Sequence, residues 1–164
     1  MTLRKLFVLP VSLLAVASLA FGQTPSQETK SNGSPLLGKW KANLSKSQRD
    51  PNHQFQSLSL RFEASDDAIL LTFTGINMSG KEESGTRKLH PDGKERPVAE
   101  APGVVEVSRW LESHILESVA RKDGTVVGEG RYEVSSDGKT LTSRVKGKDA
   151  KGKPFEQVIV FDRE

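Results

Sequence analysis

Residues 125–147 read TVVGEGRYEVSSDGKTLTSRVKG. Two runs of two-residue alternation, Thr125 to Val134 and Thr140 to Gly147, flank Asp137-Gly138-Lys139, where glycine can take the positive φ that a tight hairpin requires. Folding one run onto the other sets Val134 opposite Leu141, Tyr132 opposite Ser143 and Gly130 opposite Val145, because antiparallel partners keep a constant index sum. Side chains in a strand alternate between faces, so Tyr132, Val134, Leu141 and Val145 share one of them. Gly128 and Gly130 remove bulk from that face, which either opens a cavity or permits sharp coiling of the strand.

The same grammar extends in both directions. Asp92-Gly93-Lys94 and Asp123-Gly124-Thr125 place Asp-Gly between alternating runs. Strands are expected at 38–43, 56–64, 68–76, 82–90, 95–98, 104–111, 115–121, 125–134, 140–147 and 154–163, with the breaker Ala101-Pro102-Gly103 before the sixth. From Leu36 onward no stretch keeps a 3.6-residue period, and the 43–55 connection is the one place for a short helix. The fold class is therefore all-β.

Ahead of this region, residues 1–22 read as an export signal: a basic start at Arg4 and Lys5, an uncharged apolar run from Leu6 to Ala20, and small residues at Ala20 and Gly22. The run is short for a bilayer span and is followed by polar sequence, so no transmembrane span is expected after cleavage. Localisation is expected to be exported, periplasmic or secreted. Residues 23–35 (QTPSQETKSNGSP) hold no large apolar side chain and read as a flexible linker, with one domain at 36–164. The whole chain has 164 residues and a formal charge of +3; without the signal, 142 residues remain with a charge of +1. Much of the basic character leaves with the signal, and with it the case for nucleic acid. The absence of cysteine excludes disulfide frameworks and thiolate chemistry.

Ten antiparallel strands in about 129 residues leave few architectures. The apolar fraction beyond residue 22, about 30%, suits a single up-and-down barrel of about 8–10 strands better than a sandwich with two dry inner faces.

Gly38-Lys39-Trp40 has the Gly-x-Trp form of the lipocalin and fatty-acid-binding-protein superfamily, and Arg163 stands near the end of the last strand, VIVFDRE. The domain resembles those barrels in length and strand count. It also resembles small exported bacterial lipocalin-like proteins of unknown function, through the GxWxxNxxKS pattern at 38–47 and SxDGKTLT at 135–142. The resemblance implies a barrel plugged by Trp40 with Arg163 stacked over it, and a ligand in the lumen. It departs from the fatty-acid-binding proteins in that 43–55 is too short for their two helices.

Candidate lumen residues are Arg109, Trp110, Tyr132, Phe62, Phe73, Leu141 and Phe155. Arg109 falls opposite Glu117 if Leu111 faces Ile115. The family's internal arginines receive ligand carboxylates, which gives Arg109 a functional reading; an outer-face ion pair is the alternative, and both remain open. Trp110, Ser108, Leu116, Ala120 and His114 occupy the other face. Three dispersed histidines (His53, His90, His114), no G-x-S-x-G elbow, and adjacent acids that would point to opposite faces give no catalytic or metal constellation, so no enzyme activity and no cofactor are expected. Six cations between Lys139 and Lys153 could meet anionic headgroups or an acidic partner, or serve as solvated edge lysines. The expected function is binding of a small hydrophobic or amphipathic molecule by a monomer. The alternative is a filled barrel that acts by protein or envelope contact.

Overall fold

A computed structural model describes residues 33–99, 101–148 and 152–164. The export-signal reading, most of the linker, and Asp149 and Lys151 of the basic hairpin lie outside the described residues. Ten strands follow in order: β1 (Gly38–Ala42), β2 (Phe55–Ser65), β3 (Ala68–Asn77), β4 (Glu82–Leu89), β5 (Arg96–Pro97), β6 (Val104–Glu112), β7 (Ile115–Lys122), β8 (Thr125–Val134), β9 (Thr140–Lys148) and β10 (Pro154–Arg163). Each end lies within one residue of the expected one. A single 3-10 turn, Leu44–Lys46, occupies the long connection.

The strands form one antiparallel sheet in the order β4-β3-β2-β1-β10-β9-β8-β7-β6-β5, curled into a half-barrel of the up-and-down kind. Strands consecutive in sequence are paired, except β4 and β5, and β1 meets β10 to join the two ends of the domain. The expected hairpin pairings hold: Val134 opposite Leu141, Tyr132 opposite Ser143, Gly130 opposite Val145. Gly138 and Gly124 sit at φ of 70° and 75°, the left-handed region where a Cβ is costly.

Two details differ from the expectation. The backbone ladder does not close: β4 and the β5–β6 side are the two edges, and side chains bridge them. Leu111 does not face Ile115; the register shifts between Trp110 and Glu112, Glu112 pairs with Ile115, and Leu111 is exposed on the bulge. Further along, Val107 opposite Val119 and Arg109 opposite Glu117 are as expected.

The core sits at the end of the barrel that holds Trp40. Trp40, Leu60, Phe62, Ile69, Leu71, Leu89, Leu116, Tyr132, Val134, Leu141, Ile159 and Phe161 are all buried and form one cluster. Phe62 of β2 and Tyr132 of β8 meet edge to face, ring centroids 5.3 Å apart, so opposite walls touch and this half is filled. Leu36, fully buried, accepts a hydrogen bond from Trp40 Nε1 at 2.9 Å. Ser34, also buried, reaches across the base, its hydroxyl donating to Ser113 O at 3.4 Å and accepting from Leu36 N at 3.2 Å.

Candidate functional site

Cross-strand partners in an antiparallel sheet point to the same face, so the buried core fixes which face is inward at every register position. Starting from Tyr132, the ladder runs Trp110, Leu116, Tyr132, Ser143, Ile159. One step towards the open end it runs Ser108, Ser118, Gly130, Val145, Gln157, and one further, Glu106, Ala120, Gly128, Gly147, Phe155. On the other wall, Leu71 pairs with Arg87, Phe73 with Gly85 and Gly75 with Glu83. Large apolar side chains thus give way along the axis to glycine, serine, alanine and a few polar groups.

This mouth half holds the space. An open hollow of about 500 Å³ lies at the rim of β8 to β10, lined by inward Gly128, Gly147 and Phe155, by Asp50, and by Glu129, Lys146 and Glu156 of the outer-face ladder. Gly128 and Gly147 face each other across β8 and β9; β8 carries a bulge at this level, a device that turns a strand at a barrel rim. His53 stacks on Phe155 with centroids 4.3 Å apart, and its Nδ1 lies 2.9 Å from Asp50 Oδ1, tying the long connection to the rim. Asp50 is held below the usual carboxylate range, first by that His53 hydrogen bond and then by the Asn52 backbone N–H.

A second space, a slot of about 250 Å³, runs along the seam between β4 and β5–β6, between Arg87, Lys88, His90, Arg96, Glu106 and Ser108. Here the two walls are joined by an inward ion pair: the Arg87 guanidinium donates to Glu106 Oε1, which also accepts from the Ser118 hydroxyl. The Glu106 side chain is 13% exposed. Burial raises the Tyr132 phenol above its ordinary range; nearby Arg87 opposes that shift and Glu106 adds to it. At the lip of the slot Arg96 grips Asp92 through both carboxylate oxygens, at 2.6 and 2.8 Å. That grip, together with the Lys94 backbone N–H, holds Asp92 far below the usual carboxylate range. Two further atoms on the inward face, Trp110 Nε1 and Gln157 Oε1, are buried without a hydrogen-bonding partner among the described residues.

The expected site residues divide accordingly. Phe62 and Leu141 are inward but sealed within the filled half, as floor. Tyr132 and Trp110 stand at the boundary. Phe155 lines the mouth hollow. Phe73 is inward at the mouth but leans over Gly85, where a Cβ would come within 2.5 Å of its ring. Arg109 requires correction: it lies on the outer face, its side chain 59% exposed, with Nε and Nη2 donating to Glu117 Oε2 at 3.0 and 2.7 Å. The face with Trp110, Ser108, Leu116 and Ala120 is the inner one. The inward arginines that sequence reasoning missed are Arg87 and, at the slot's lip, Arg96, with Glu106 and Ser118 beside Arg87. The signal for Arg87 was Leu89, the only aliphatic residue of 82–90, which sets the inward parity two residues away.

Trp40 and Arg163 occupy the plug. The guanidinium carbon lies 4.1 Å from the indole centroid, and its nitrogens donate to Gly138 O at 2.6 Å, Leu37 O at 3.0 Å and Pro35 O. Among the described residues no group of three His, Asp or Glu could hold a metal ion, and no helix is long and apolar enough to cross a membrane.

No protein-family model and no curated protein matches the chain. Solved structures do. A mutant of the fluorescent protein UnaG is 16% identical, with 79% of this chain and 96% of that one covered and a TM-score of 0.53. A Schistosoma mansoni fatty acid binding protein in complex with arachidonic acid is 16% identical over 80% and 97%, TM-score 0.52. Rv2717c from M. tuberculosis is 16% identical over 84% and 98%, TM-score 0.53. The chain has a lipocalin and fatty-acid-binding-protein-like fold.

Proposed function

We propose that this chain binds a small hydrophobic or amphipathic molecule in the mouth half of its barrel, as an exported monomer in the periplasm or outside the cell. One observation carries the binding: the inward face is packed with large apolar side chains at the Trp40 end and thins at the other to Ser118, Ala120, Gly128, Gly130 and Gly147 between Val145, Phe155 and a few polar groups, beside the open rim hollow. A barrel selected only for stability would extend its large side chains along the whole axis, because each buried aliphatic or aromatic side chain contributes about 1.5 to 3 kcal/mol. Small residues at facing positions leave volume for something else. The polar groups at Arg87, Glu106, Ser118 and Tyr132 sit where the filled and open halves meet, so an apolar tail and a polar head would both find a counterpart. The arachidonic acid complex of the Schistosoma protein supports the same reading by likeness of fold. Export is supported by residues 1–22 alone, and the reading includes no catalytic step.

Native mass spectrometry of protein purified from its own host tests this. The expected result is a lipid-sized adduct that is released on denaturation, and uptake of an apolar fluorescent probe by the emptied protein. Bare chain mass together with no probe uptake overturns the proposal in favour of a barrel that acts through protein or envelope contact.

A further inference from the structure

We infer that the bound molecule is uncharged at its polar end, and that Glu106 enforces this by occupying the inward arginine in place of a ligand carboxylate. The inference rests on the binding reading above and narrows its ligand class.

An arginine on the inward face next to a buried phenol would ordinarily attract an anion, since its fork of donors matches a carboxylate, and the Arg87 side chain, 46% exposed, is within reach of one. In this chain the fork is already taken. Glu106, on the opposite side of the seam, bonds Arg87 and is held in place by the Ser118 hydroxyl. The other inward arginine at the seam, Arg96 opposite Glu106, is matched by both oxygens of Asp92. Around the slot, Lys88 and His90 lean towards Asp67, at 4.0 and 3.2 Å. The two inward arginines of the seam, and Lys88 beside it, thus have counter-charges within the protein.

A second carboxylate brought to Arg87 would lie within one side chain's reach of Glu106, whose side chain is 13% exposed. Like charges at that range repel. What the described interior leaves unmet is neutral: the Trp110 Nε1–H, a donor, and the Gln157 amide oxygen, an acceptor, both inward, buried and unpartnered. Buried polar atoms without partners are costly; a hydroxyl, carbonyl or amide oxygen can accept from the indole N–H, and a hydroxyl or amide N–H can donate to the Gln157 oxygen, without adding charge. Charge satisfied and neutral hydrogen bonding unsatisfied together point to an alcohol, ester, amide or similar head on an apolar body.

The test is a matched pair of probes, dodecanol and dodecanoate, titrated calorimetrically at neutral pH below their aggregation limits into wild-type protein and Glu106→Gln. Wild-type protein should prefer the alcohol by about tenfold or more. Glu106→Gln, which keeps an acceptor for Ser118 but frees the charge of Arg87, should reverse that order. Should Glu106→Gln fail to fold, Arg87→Gln serves: it leaves Glu106 uncompensated and should widen the preference for the alcohol. Wild-type protein that prefers dodecanoate, or variants that leave the ratio unchanged, overturn the charge inference while the binding reading stands. Failure of both probes to bind wild-type protein and variants overturns the binding reading and this inference with it.

Discussion

The two halves of the barrel are made from the same strands. On β8, Val134 and Tyr132 belong to the filled end and Gly130 and Gly128 to the mouth; on β9, Leu141 gives way to Val145 and Gly147; on β7, Leu116 gives way to Ser118 and Ala120. Backbone pairing continues through both halves apart from local bulges, so the main difference lies in inward side-chain volume. Stability and open volume are thereby separated along one axis. The Trp40 end holds the buried cluster, and little of that cluster depends on the mouth.

The largest effect should come from breaking the filled half. Trp40 is fully buried, donates to Leu36 O and carries Arg163 on its face. Trp40→Ala should lower unfolding free energy by about 3 to 5 kcal/mol, the usual range for a large aromatic removed from a core, read from the urea midpoint at constant m-value. A loss below about 1 kcal/mol would mean that the indole is not the keystone of this end.

The mouth should behave in the opposite way. An added Cβ at Gly128 meets only Ala120 Cβ at 3.8 Å and Lys146 O at 3.9 Å, ordinary contact distances. Gly128→Val also places a strand-favouring residue in a strand, so its stability should stay within about 1 kcal/mol of wild type. Its isopropyl group projects into the hollow, and uptake of an apolar probe should fall about tenfold or more, a cost of about 1.4 kcal/mol or above. Unchanged uptake would place the ligand elsewhere and erase the contrast between the halves.

Tyr132 sits on the boundary and reports on it. It is the only tyrosine in the chain, so phenolate absorbance titrates this one group. Burial first, with Glu106 in the same direction and Arg87 opposed, raises its pKa in the folded state. For an acid shifted upward, the neutral form is favoured by folding. Its contribution is fully present below the unfolded value near 10 and is lost as pH rises through the folded value. Phenolate should therefore appear only above the ordinary tyrosine range, in step with loss of structure, and Tyr132→Phe should be less sensitive to alkali. Titration in the ordinary range with the fold intact would place the hydroxyl in solvent.

The ten strands, their antiparallel order and most cross-strand partners were legible because alternation and Asp-Gly turns are local signals. Which face of β6 and β7 points inward was not, and Arg109 shows why. The outer face of that hairpin carries Val105, Val107, Val119 and Leu111 around the Arg109 and Glu117 pair, whereas the inner face carries Glu106, Ser108 and Ser118 beside Trp110 and Leu116. A two-residue period defines two faces without labelling them, and the usual label, hydrophobicity, is inverted here because the mouth is lined by small and polar groups. The long-range register from Leu71 to Arg87 and from Ala120 to Gly128 supplies the missing sign. Arg109→Ala tests that assignment with the smallest expected effect. Removing an exposed cross-strand ion pair should change stability by less than about 1 kcal/mol and leave probe affinity where it was, because the guanidinium points away from the hollow. The two readouts differ in what they decide: a modest stability change is compatible with either face, since Arg109 is paired in both. A loss of affinity would require the side chain to reach the interior, and would reverse the inward sign of β6, the position of Glu106, and the distinction between packed end and open end.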